Sequence, residues 1–351
     1  MAPLFEIKEI DRKCYQQDIE GFLPEKIIDV HTHIWLDQFM PKVSHDPKRA
    51  VSWPALVAKD NPIEDLIQTY RLLLPGKQVT PLIFGNVLSR DVDEVSSNGY
   101  VSESAKKHQF PSLIFALPWW SAEEFEKKVL TGGFLGSKVY LTLSDPAIAE
   151  KDIQIFDFLP HHQLEVLNKH GWIAMLHIPR PGRLKDPLNL AQMIEIEEKY
   201  PNVKLIIAHV GRAYCPEDVG NAFDVLGRTK KMMFDISANT SAENFEKLIR
   251  SVGPRRILFG SDLPITRMRM RRICENGRYV NLVPHGIYGD VSNDKNMREV
   301  YDLEAQKLTF FFYEEILAFR RAAEAVGLSS KDINDVFYNN TYRLIYEVKN
   351  G

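Results

Sequence analysis

The chain has 351 residues, 44% of them hydrophobic and 26% charged, with a formal net charge of -3. It can bury a large core, and with no long basic block it offers nucleic acid no evident surface. No apolar run approaches the ~18 residues of a bilayer span, and charges come early in MAPLFEIKEIDRKCY, so neither a membrane role nor a secretory leader is expected. The cytoplasm is the expected compartment.

The first 22 residues precede any strand-like run and are expected to pack as an extension on a body formed by residues 23–351. Short runs rich in Ile, Val, Leu and Phe then recur at 27–34, 79–87, 112–119, 136–143, 172–178, 203–210, 231–236 and 256–260, as in strands buried on both faces of a parallel sheet. Helical patterns fall between them at 62–74, 121–130, 154–170, 187–200, 216–226 and 241–252, several opened by Pro or Ser. A long helix over 303–326 and a short one over 330–346 close the chain. Eight strands alternating with helices, and no glycine-rich phosphate loop, predict a single-domain (β/α)8 TIM-like barrel. Long loops follow strand one (35–61) and strand eight (266–302), on the face where barrel enzymes build their sites. Cys14, Cys215 and Cys274 are odd in number and scattered, a pattern that reads as small core fillers.

The chemistry sits at strand ends. In IIDVHTH the period of two puts His31 and His33 on one face. His177 ends the fifth run, His209 the sixth, and Asp262 follows the eighth. Barrel closure would bring these five groups together, at a cost unless a divalent cation binds the lone pairs they share. Three histidines and one aspartate suit Zn, Mn, Fe or Co. Lys138, inside the fourth strand, is either an ion-paired residue of the pocket or a carboxylated ligand of a second metal. Arg180, Arg212, Arg267 and Arg269 lie in loops beyond the strand ends, where guanidinium forks could hold a carboxylate; Tyr140 and Trp119 could line a small site.

IIDVHTHIW, MLHIPR, IIAHVGR, ILFGSDLP and NNTYRLI, in order from residue 27 to about 346, resemble the amidohydrolase superfamily. They are most similar to its amidohydrolase-2 branch, which includes aminocarboxymuconate-semialdehyde decarboxylase. The resemblance implies His31, His33, His177 and Asp262 as ligands of one metal ion, zinc by preference, and His209 as a catalytic residue. It implies a hydrolase in which a metal-activated water attacks an ester, lactone or amide carbonyl of a small anionic substrate, Asp262 and His209 handling protons. The alternative is a carboxy-lyase of the decarboxylase type. A small molecule is the expected partner, and a homodimer is an open option.

Overall fold

The computed structural model describes residues 4–40, 56–87 and 89–351. Most of the long connection expected after strand one, with His45 in it, lies outside the described residues.

Eight strands, β1 (Lys26–His33), β2 (Gln78–Phe84), β3 (Ile114–Phe115), β4 (Gly136–Val139), β5 (Ile173–Leu176), β6 (Lys204–Ile207), β7 (Met233–Asp235) and β8 (Ile257–Leu258), run parallel. β3 to β8 form one sheet and β1 pairs with β2. A few backbone hydrogen bonds at each seam close the ring. Leu113 N donates to Ile83 O at 3.0 Å, joining β2 to β3; Val30 N donates to Phe259 O at 3.0 Å and Asp262 N to His31 O at 2.8 Å, joining β8 to β1. This is a TIM-type (β/α)8 barrel. β4 and β5 are buried throughout, as are residues 27–33 of β1, which is why these strands read as unbroken apolar runs.

The outer helices start where their caps say. Ser121 accepts from Glu124 N ahead of Ala122–Gly132, and Asp186 accepts from Leu188 N and Asn189 N ahead of Pro187–Lys199. One helix, Glu94–His108, has no apolar period to read because its buried face is polar. Asn98 on that face exchanges two hydrogen bonds of 3.1 Å with the backbone of Phe115. The helix expected over 303–326 is broken. Asp302–Gln306 and Phe311–Val326 are helical, but between them Thr309 O accepts from Met270 N and Phe310 bridges Arg269. Pairing with the preceding segment overrides helix propensity there. The loop after β8 carries a small sheet of its own, β9 (Arg271–Glu275), β10 (Arg278–Pro284) and β11 (Met297–Val300), which packs on Ala238 and Phe311.

The reading of all three cysteines as fillers is corrected. Cys215, in the loop after β6, is disulfide-bonded to Cys274 on β9, their Cα atoms 5.8 Å apart across 59 residues of sequence; Cys14 alone is free. Scattered spacing hid a pair that barrel closure brings together. None of the described helices is long and apolar enough to cross a membrane.

The N-terminal helix Glu9–Cys14 docks through one buried ion pair. Asp11 receives Arg269 Nη1 and Nη2 at 2.8 and 2.6 Å, and Thr309 Oγ1 at 2.7 Å. Arg269 is therefore occupied with the N-terminal segment. Asp11→Ala would leave that guanidinium buried and uncompensated, so a loss of about 3–5 kcal/mol in urea unfolding is expected. A change within experimental error would show that the pair does not hold the N-terminus down.

Candidate metal centre

His31 and His33 leave β1 on the same side, and the backbone hydrogen bond from Asp262 N to His31 O brings the end of β8 alongside them. Gly260 makes this approach feasible: a Cβ there would meet His31 Cβ at 2.8 Å. His33 Nε2 lies 3.0 Å from Asp262 Oδ1 and His31 Nε2 lies 3.4 Å from the same oxygen. These three groups have donor atoms within 4.8 Å of one another.

The other ring nitrogens fix the tautomers. His31 Nδ1 is 2.9 Å from Asp235 Oδ2, and His33 Nδ1 is 3.3 Å from Gly85 O. A carboxylate and a carbonyl can only accept, so each Nδ1 carries the proton and each Nε2 presents a lone pair. Two imidazole lone pairs and a carboxylate oxygen thus face one another, and burial lowers the His33 pKa, disfavouring a shared proton. A divalent cation relieves this arrangement. His177 lies beside the cluster, its ring centroid 5.3 Å from that of His209. Its Nδ1 is buried with no hydrogen-bond partner, and burial drives its pKa well below the usual value. An orphaned neutral imidazole fits a fourth ligand.

Sequence reasoning missed Asp235, at the end of β7. Besides His31 Nδ1 it accepts from His209 N at 2.9 Å, Ser237 N at 3.1 Å and Ser237 Oγ. His31, His209 and Asp235 also cluster within 4.8 Å, but these bonds occupy both Asp235 oxygens. Asp235 therefore orients His31 through its second nitrogen, as carboxylates behind metal-bound histidines do. A signal was available, since an aspartate inside an apolar strand is as costly as the lysine that drew notice at 138.

His209 donates from Nδ1 to Ser237 O at 3.0 Å, leaving the Nε2 lone pair unblocked. It opens a left-handed turn: φ is 56° at His209, 51° at Val210, 61° at Gly211 and 60° at Arg212. Each non-glycine residue there costs ~1–2 kcal/mol, which the Asp235 bond to His209 N and the three backbone carbonyls gripping Arg212 Nη1 offset. Asp262 (φ 64°) and Ala238 (φ 48°) are left-handed too, so the strain gathers at the ends of β6, β7 and β8.

Lys138 is 2% exposed, its Nζ 4.5 Å from the Tyr140 ring centroid. Burial lowers its pKa to about 8 against the pull of Asp262 and Asp235. The Tyr140 hydroxyl donates to Gly85 O and lies 3.3 Å from His33 Nδ1. Trp119 is half exposed beneath the Arg90 guanidinium, 4.5 Å away. Arg180 Nε is shared by both Asp186 oxygens at 3.1 Å. Arg267 is 9% exposed over the Phe5 ring, and burial pulls its pKa to about 10 with Asp65 opposing.

Behind the centre, Glu315 is fully buried, with Oε2 accepting from Ala238 N at 2.6 Å and Oε1 unpartnered. Burial raises its pKa well above the ordinary 4.5. The folded protein then keeps a proton that the unfolded chain releases above 4.5, so this residue costs stability as pH rises through that window. Glu315→Gln keeps the acceptor without the charge; it is expected to raise Tm at about pH 8, with the gain vanishing near pH 4. A gain independent of pH would refute the raised pKa. Asp235→Asn is expected to weaken metal binding ~10–100-fold by competitive titration, and unchanged affinity would remove the orienting role.

A dihydroxybenzoic acid decarboxylase from Polaromonas sp. JS666, with bound manganese and the inhibitor 2-nitroresorcinol, is similar at 16% identity and TM-score 0.54, covering 92% of this chain and 97% of its own. An amidohydrolase from Burkholderia multivorans with bound zinc is 12% identical at TM-score 0.54, covering 91% and 99%. A protein from Pseudomonas putida put forward as a 2-pyrone-4,6-dicarboxylic acid hydrolase is 16% identical at TM-score 0.53, covering 92% and 98%. At these identities the likeness is one of fold. No curated protein matches. The amidohydrolase family model, however, matches residues 28–345, most of the sequence, and the chain belongs to the amidohydrolase-2 family.

Proposed function

We propose that the protein is a hydrolase using one divalent ion, with zinc preferred over manganese, iron or cobalt, to cleave an ester, lactone or amide of a small anionic substrate. One observation carries the reading. The Nε2 lone pairs of His31 and His33 converge on Asp262 Oδ1, and beside them His209 has its Nδ1 proton committed to Ser237 O. His31, His33, His177 and Asp262 would hold the ion, which supplies a Lewis acid for the carbonyl and a water acidified toward pKa ~7.

The side chains do the rest. His209 Nε2 is the open base, able to accept the proton of the attacking water and return it to the leaving group. The Ser237 carbonyl and hydroxyl grip the opposite nitrogen, so the ring enters the reaction in one tautomer. Asp262 can take the second proton of that water, released by the newly formed carboxyl group, at the carboxylate oxygen not turned to the histidines, and pass it to solvent. Lys138, unmodified in this reading, puts its ammonium near Asp262 and the Tyr140 ring, where it can offset negative charge on the substrate.

His209→Asn is expected to retain the metal while turnover falls ~10²–10⁴-fold. With lactones, amides and carboxylated aromatics as substrates in ¹⁸O-labelled water, hydrolysis places label in a new carboxylate. Release of CO2 with uptake of a solvent proton at carbon and no label would replace the hydrolase with the carboxy-lyase. Full activity in His209→Asn would remove the assigned base in either case.

A further inference from the structure

We propose that Arg272, on β9 of the sheet inserted after β8, is the anchor for a carboxylate of the substrate distal to the metal centre. The anionic substrate comes from the functional reading above; the anchoring residue comes from the inserted sheet.

Arg272 is a largely enclosed guanidinium with no acid at ion-pair distance among the described residues. Nε donates to Asn281 Oδ1 at 2.9 Å and Nη1 to Ala238 O at 2.7 Å; Nη2 has no protein partner there. Its faces are covered by aromatic rings: Tyr279 and Phe311 with centroids at 4.5 Å, and Tyr214 at 4.9 Å. An enclosed charge without a counter-ion is costly, and one retained this way is commonly completed by a ligand. Arg183 stacks on the same two tyrosines from 5.3 Å but spends its charge on Asp218, 2.6 Å away. Arg180 and Arg269 are likewise tied to Asp186 and Asp11. Arg272 keeps partial exposure.

Its position is what joins it to the site. The carbonyl it grips belongs to Ala238, next in sequence to Ser237, which holds His209. Asp262 and Arg272 are close enough for their charges to interact. The guanidinium therefore stands at the mouth, beside the ends of β7 and β8. A planar carboxylate matches it, the flanking rings favour an aromatic or unsaturated acid, and Tyr214 and Tyr279 set the walls.

The test uses the metal-loaded protein and calorimetric binding of isophthalate against its mono-amide, 3-carbamoylbenzoate. Wild type is expected to bind the diacid about 10–100-fold tighter, the range for a hydrogen-bonded pair with a charged group. Arg272→Met is expected to erase that preference. Equal binding of the two acids by wild type overturns the proposal, as does an undiminished preference in Arg272→Met. Should the Met variant not fold, Arg272→Lys decides: an intermediate preference supports the fork, and one equal to wild type overturns it. Metal-dependent turnover with a preference insensitive to Arg272 would sink this inference alone. A preference lost in Arg272→Met in a protein that cleaves no acyl bond would sink the hydrolase reading alone.

Discussion

Everything at the barrel mouth answers to one constraint: imidazole lone pairs and a carboxylate are held face to face where water is scarce. His31 and His33 cannot turn away, because Asp235 and Gly85 O hold their opposite nitrogens. Asp235 in turn ties together β1, the turn after β6 and Ser237, so one buried carboxylate sets the geometry of three strand ends. Left without a cation, this arrangement is repulsive, and the fold spends local strain at His209, Ala238 and Asp262 to maintain it.

Much of this was legible in the sequence, because it depends on period and position. Alternation in β1 put His31 and His33 on one face, and the strand-end positions of His209 and Asp262 brought them to the same rim once the barrel closed. His177 is less well resolved by such reasoning: it ends the right strand, yet stands beside the cluster and not within it. What the sequence concealed are partners fixed only by long-range contact. Asp235 shows in its strand only as a costly buried carboxylate; that it holds His31 and the backbone of His209 is visible only in the fold. Glu94–His108 buries Asn98 and Ser102, which pair with backbone, and leaves no apolar stripe. The disulfide joins cysteines 59 residues apart, a distance that spacing rules do not address.

The arginines show the same division. Position relative to a strand end drew attention to Arg180, Arg212, Arg267 and Arg269, but what decides an arginine's use is whether an acid has already claimed it. Asp186 and Asp11 are such acids. Arg272, from an inserted sheet with no counterpart in the alternating β/α pattern, has no strand-end position to draw attention to it; like Arg212, which backbone carbonyls hold, it has no acid at ion-pair distance among the described residues.

The Cys215–Cys274 bond gives the mouth a mechanical asymmetry. It fastens the loop carrying Tyr214 to the β9–β10 hairpin carrying Arg272 and Tyr279, closing a chain segment whose freedom in the unfolded state would otherwise cost about 4 kcal/mol to suppress. The two walls can tilt together but not part. The mouth is stapled on this one side, and the thiol balance of its surroundings decides whether the staple exists.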